Sequence, residues 1–437
     1  MDVASMQTRP KNFDQILKVA EQILQVFRES DEKTWSEKYE TLWFQKLDEF
    51  ASLVFCNKEL RDYLSLDDVR DRLFNIVMYL GKDLKGITDE DLEKYVGEWL
   101  GPPKTYEFFF PAMELFGFPD GYKLGQCELH SYTQLPEDMQ NHISSRWEYA
   151  YEREKIIYHS RTPEEYQKQK KQETYFCLKV EALGHNKAIE VATRLANQGL
   201  NILKCFYLLE HAPRLRECRY RVDTGYGGVR AERFQWGWHH HRVDQELETY
   251  VQLVNRFVEQ ATKDEIAKRT LSAIDIYGMM ESETPLELKF LLSVMAAESL
   301  LLGKDDRDFL GWKLREKVAI LLGDTPVWVK QHLGKEPEDK LTEQECDEAR
   351  PAARAELAKR VGMIYDKRSA LVHQDAGEKI TEDDFIFASN IMRLSLQRIL
   401  RLYNDKGIRR VSKTSTVDLQ SLDGFIESMK YSLPLGW

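Results

Sequence analysis

Arg368 and His373, five residues apart, form the pair in this sequence whose chemistry is best defined. Histidine titrates near neutral pH, so it can take a proton from a hydroxyl or give one to a leaving oxygen. Arginine stays charged and offers a planar fork of donors to an anion. Together they suit a proton transfer beside a developing negative charge. The spacing by itself is not selective, since Arg153 with His159 and Arg233 with His239 nearly repeat it.

Context selects Arg368 and His373. An apolar helical run, Phe290 to Leu301, comes first and carries one acid, Glu298. Leu314 to Leu322 follows, then Ile364 to His373, then an amphipathic run to Tyr403. Gln374-Asp375-Ala376-Gly377 marks a helix end just past His373, where the helix dipole favours a protonated imidazole. Five residues are about 500° around an ideal helix, so Arg368 and His373 do not stack within one helix. A carboxylate in an apolar helix needs a partner, which makes Glu298 a candidate to orient Arg368 or His373, or to pair structurally with Arg315 or Arg368. Arg368 and His373 themselves could also serve only to end a helix and pair with acids.

This ordered set resembles the ApeA-like branch of the HEPN superfamily. There one helix ends in Ala-x-Glu-x-Leu-Leu, a second carries Arg-x-x-x-Ala-x-Leu-Leu, and a third ends in Tyr-x-x-Arg-Ser-x-x-Val-His. The resemblance covers about Leu271 to Tyr403. It implies a four-helix domain and a metal-independent endoribonuclease acting as a homodimer, with Arg368 and His373 catalytic and no cofactor. Two copies of the motif would meet across the dimer axis. Ser369 stands where many members carry Asn, Asp or His, and can still hydrogen-bond a phosphate. The resemblance further implies an antiviral or toxin role, held in check until triggered; a toxin neutralised by an antitoxin partner is a rival reading. The alternative is a non-catalytic HEPN module that binds RNA or a nucleotide in a larger complex.

The rest of the chain supplies the frame. The 437 residues allow two or three domains, with 42% hydrophobic residues to build their cores. The spacing predicts helices over residues 12–27, 39–55, 69–80 and 89–100, ended by Gly101-Pro102-Pro103. Strands are expected at 106–110, 122–132, 174–182, 218–222 and 230–236, with helices at 148–172 and 187–208 and a glycine-rich hairpin turn at 224–228. From His241 onward, helices are expected at 247–261, 266–280, 285–302, 312–322, 352–372 and 381–403, with a loop or partly helical insertion at 323–350. The expected class is therefore mainly α with an α/β middle module. Its divisions are a helical domain over 1–103, the α/β module over 104–240, a HEPN-type bundle over 241–411, and a tail over 412–437.

A net charge of −11 argues against a general nucleic-acid coat protein, though it leaves room for a local basic cleft. Arg393, Arg398 and Arg401, followed by Lys406, Arg409, Arg410 and Lys413, could guide RNA or simply solvate a helix end. Six scattered cysteines without a CxxC pair fit reduced thiols rather than disulfides or zinc. Trp238-His239-His240-His241 lacks the spacing of a metal site. No leader pattern or membrane-length apolar run is seen, so the expected setting is cytoplasmic, without membrane contact.

Overall fold

The computed structural model describes residues 12–28, 46, 49–56, 58–75, 94, 96–97, 101–113, 115, 118–145, 162–171, 173–206, 214–215, 218–222, 225–229, 245–260, 265–280, 285–303, 306, 309–323, 325–336, 338–373 and 379–404. Its elements begin with helices α1 (Phe13–Arg28), α2 (Lys58–Tyr63) and α3 (Leu66–Asn75). Strands β1 (Lys104–Met113), β2 (Tyr122–Leu124) and β3 (Cys127–Ser131) lead to helices α4 (Glu137–Ser144) and α5 (Pro163–Lys170). Next come strand β4 (Thr174–Ala182), helix α6 (His185–Phe206), and strands β5 (Arg214–Leu215), β6 (Cys218–Val222) and β7 (Gly225–Val229). The chain then turns helical: α7 (Gln245–Gln260), α8 (Glu265–Met280), α9 (Leu286–Leu301) and α10 (Leu310–Leu322). The last three are α11 (Pro326–His332), α12 (Glu343–Val372) and α13 (Glu382–Asn404). The fold is mainly helical with a small sheet. Among the described residues, no helix is long and apolar enough to cross a membrane.

Two compact units result. The first holds residues 1–111, 175–196 and 216–232; the second holds 112–174, 197–215 and 233–437. The stretch 104–240, expected as one middle module, is thus shared between them.

In the first unit α1 buries Phe13, Ile16, Val19 and Ala20, the i, i+3, i+4 stripe of an amphipathic helix, against Phe50, Val54 and Leu60. The carboxylate of Asp68 is buried and fully engaged. It accepts bonds from Ser65 N and Oγ in its own turn and from Asn186 N and Lys187 N at the start of α6. Gly184 is needed there, because a Cβ would run into that carboxyl. Antiparallel pairing joins β1 to β6 and β6 to β7. The alternation of β1 puts Tyr106 and Phe108 against Tyr220, while Glu107 pairs with Lys179 and Arg221. One expectation is corrected here: residues 225–229 are a strand, not a turn. Val222 pairs with Gly225, so the chain reverses between them and the glycines continue the ladder through their backbone.

In the second unit the expected strand 122–132 is split into a hairpin, β2 and β3, because Gly125 turns with φ 62°. Asn255 of α7 fixes that turn by donating to Lys123 O and accepting from Gly125 N, at 2.8 and 2.7 Å. Helix α9 packs against α8, α10, α12 and α13, which explains why it is apolar on every side. Its small residues Ala296 and Ala297 are buried in those contacts. Helices α10 and α12 run antiparallel: Gly311 abuts the Tyr365 ring, Gly362 lies beside Arg315, and Gly323 abuts Arg354. Most expected helix limits agree within two residues. Two helices depart: α5 starts at Pro163 behind a non-helical Thr162, inside the run expected from 148, and α12 starts nine residues earlier than 352 and runs through Pro351. A capping box at Thr342 and Glu345 nucleates it ahead of the proline. The segment 323–350 therefore contributes α11 and the first turns of α12, packed on a small core of Val329, Ala349 and Ala353. Expected elements at 76–80 and 230–236, with most of 89–100 and 148–161, lie outside the described residues.

Candidate active site

The site is assembled on the last two turns of α12. Its foundation is the packing of that helix on α9 and α10. Ile364 is buried, and Val361 one turn earlier is buried with it. Tyr365 lies against Gly311 of α10, a position where any side chain would collide with the ring. Arg368, one turn on from Tyr365, sits with its guanidinium carbon 5.8 Å from the centre of that ring. Its Nη2 donates to Glu298 Oε2 of α9 at 3.2 Å. Of the two partners foreseen for Glu298, Arg315 or Arg368, the ion pair therefore forms with Arg368; Arg315 is exposed.

The pair is incompletely satisfied. Arg368 Nε and Glu298 Oε1 are both buried and make no hydrogen bond. Burial pushes the Glu298 carboxyl above the usual carboxylate range, and the charge and hydrogen bond of Arg368 offset only part of this. Burial also raises the Tyr365 hydroxyl, with the Glu298 charge adding to the effect and Arg368 opposing it. The Glu298 bond sets the orientation of the guanidinium, and its N–H groups other than the buried Nε and the one given to Glu298 are the donors a phosphate oxygen can use.

His373 ends the helix. It is the C-cap residue, its N–H donates to Ser369 O at 3.0 Å, and its side chain is exposed. Among the described residues its ring makes no hydrogen bond. Arg368 turns inward to α9, whereas His373 stands in solvent at the helix end. Ser369 is half-buried, and its carbonyl holds the cap.

Two further supports were not read from the sequence. Lys367 donates to Asp384 at 2.7 Å, tying α12 to the first turn of α13. Burial pushes Asp384 up, but bonds from Lys367 and Thr381 outweigh this and hold it below the ordinary range. The Thr381-x-x-Asp384 capping box was the available signal. Asp306, after α9, accepts from Gly303 N, Lys313 and Lys317 at 2.7–2.9 Å. Burial opposes ionisation there, yet those three donors bring its pKa down to about 2. Lys317 also donates to Leu301 O, capping α9. Nothing local in the sequence announces Asp306.

The arginines of α13 are engaged within the bundle. Arg393 Nε donates to Cys205 O of α6 at 3.2 Å, and Arg401 Nε donates to Tyr250 OH of α7 at 2.7 Å. Arg398 is half-buried. The alternative pairs Arg153 with His159 and Arg233 with His239, the run Trp238–His241, and the basic residues Lys406, Arg409, Arg410 and Lys413 lie outside the described residues.

No family model, curated protein or solved structure matches this chain. The site offers a pre-oriented cation, a buried carboxylate behind it, and a solvent-facing imidazole at the end of the same helix. Cys127, by contrast, is a buried thiol whose pKa burial pushes up to about 12, which makes it inert as a nucleophile.

Proposed function

We propose that this chain is a metal-independent endoribonuclease of the HEPN type, with Arg368 and His373 as its catalytic residues. The observation that carries the reading is the C-terminal end of α12, where Arg368 is held by Glu298 and the helix stops on an exposed His373. In the proposed reaction His373 exchanges the proton of the 2′-OH or of the leaving 5′-oxygen, and Arg368 bears the charge that develops on phosphorus. Ser369, next to Arg368, is proposed as a supporting hydrogen-bond donor to the phosphate.

Within one copy, Arg368 and His373 face different ways. The reading therefore includes a homodimer in which two α12 ends meet, so that His373 of one copy serves beside Arg368 of the other. Degradation of RNA in antiviral defence, or as a toxin released by a trigger or the loss of an antitoxin, is the role proposed for such an activity in the cytoplasm. One observation favours a second reading, a module that binds RNA or a nucleotide without cutting it. The Arg368 charge is already paired with Glu298, and its ring neighbour Tyr365 helps hold it.

The test is cleavage of total RNA, tRNA and mRNA in EDTA. Cleavage that leaves 2′,3′-cyclic phosphate and 5′-OH ends is the expected result. Cleavage that stops in EDTA, or that leaves 3′-OH and 5′-phosphate ends, contradicts the reading.

A further inference from the structure

Phe309 is the least economical residue in the described structure. It is 82% exposed, and its backbone is left-handed, at φ 56° and ψ 38°. It is also the one non-glycine residue with positive φ among those described. A bulky aromatic residue disfavours that conformation, and such strain persists only where the surroundings impose it. The surroundings do impose it. Asp306, three residues earlier, is clamped by Gly303 N, Lys313 and Lys317, and the Phe309 carbonyl accepts the Lys313 N–H at 3.0 Å as the first bond of α10. The ring is thus presented to solvent from the anchored start of α10.

Its position along the fold matters. Because α10 and α12 are antiparallel, with Gly311 at Tyr365 and Arg315 at Gly362, the start of α10 lies at the level of the α12 end that carries Arg368. Trp312, one turn on from Phe309, is half-exposed, and Arg315, a further turn along, is exposed. Aromatic faces interleaved with Arg315 and Arg368 are what a single RNA strand requires. Its bases stack on rings whatever their identity, and its phosphates pair with the cations between them.

We propose that the first turn of α10 is the base-binding wall of the RNA site, with an unpaired base stacked on Phe309 and the adjoining phosphates carried by Arg368 and Arg315. This rests on the ribonuclease reading for the place of the scissile phosphate, and it narrows the substrate to single-stranded RNA.

The experiment uses the full chain carrying His373→Ala, so that RNA is bound but not cut. A short fluorescein-labelled single-stranded RNA is the probe, read by anisotropy. Phe309→Leu, which keeps the β-carbon and the backbone strain but removes the ring, is expected to weaken binding about tenfold, within the range for one base–aromatic stack. Phe309→Tyr is expected to bind as the parent does, and a duplex of the same sequence to compete poorly. Equal binding by the Leu and Tyr variants overturns the proposal, as does equal competition by duplex or no binding by the parent. So does a Leu variant that binds normally but loses self-association, which would give this face to a second copy. The two readings separate cleanly. Wild-type cleavage with an unchanged KM in Phe309→Leu removes the wall and leaves the enzyme. Absent cleavage with ring-dependent binding removes the enzyme and leaves the wall.

Discussion

The two ends of α12 are built on different terms. At its start, Glu345 accepts from Lys335 at 2.7 Å and from the Thr342 N–H and hydroxyl at 2.9 and 3.0 Å, and its own backbone N–H donates to the Thr342 hydroxyl oxygen. Led by the Lys335 bond, these contacts bring the Glu345 carboxyl down to about 2. Both of its oxygens are bonded, in the open, where water could have served. At the other end the acid is set deeper, with 15% of its side chain exposed against 37% for Glu345, its carboxyl is pushed up rather than down, and one atom on each side of the Glu298–Arg368 pair is left without a partner. A fold gains more from satisfying buried polar atoms than exposed ones. The unmet bonds therefore fall where they are most costly for stability. On the ribonuclease reading proposed above, those atoms border the phosphate site, and they separate the two ends more sharply than their sequences do.

Substitutions at the two ends should diverge accordingly. Glu298→Ala leaves the Arg368 guanidinium largely buried without a counter-ion, and is expected to lower stability by about 2 kcal/mol in denaturant titration, less than a fully buried pair because the groups keep some exposure. A loss under about 0.5 kcal/mol would mean that the pair is readily replaced by water. Thr342→Ala removes the cap of α12 and should cost about 1 kcal/mol. The contrast lies in activity: Thr342→Ala should leave the cleavage rate unchanged, whereas Glu298→Ala should depress it beyond its effect on folding. Equal effects on rate would erase the distinction between the ends. The smallest effect concerns acid. The Asp306 pKa is about 2 in the fold against an ordinary 3.8, so its contribution is fully present above 3.8 and lost as pH falls through 2. After solvent screening this is worth about 1 kcal/mol. Asp306→Asn should flatten that limb of the stability curve, and an unaltered limb would show that Lys313 and Lys317 do not stabilise the ionised form.

Much of the second unit was legible because its helices carry strong patterns. The apolar run 290–301 is central, and the helix bearing Arg368 stops where Gln374 to Gly377 suggest. Strands 174–182 and 218–222 also fall where alternation places them. Other features were hidden for physical reasons. Pro351 reads as a barrier, yet the Thr342 box upstream carries the helix across it. Gly225, Gly227 and Gly228 read as a turn, but a strand needs only their backbone. At the site, spacing showed that Arg368 and His373 diverge, but not which partner Glu298 takes, since that choice is made by α9 meeting α12 across 70 residues. The Asp306 clamp and the exposure of Phe309 are likewise tertiary facts, without a local signature.

An active centre at the end of α12 requires that both Arg368 and His373 carry the rate. The direct measurement is the single-turnover rate of RNA cleavage in EDTA by wild type, Arg368→Ala and His373→Ala, each first shown to melt as wild type does. A loss of at least about a hundredfold is expected in each variant, the scale of removing a proton-transfer group or a transition-state cation. Equal rates in all three proteins would contradict it and leave Arg368 as a structural partner of Glu298 alone.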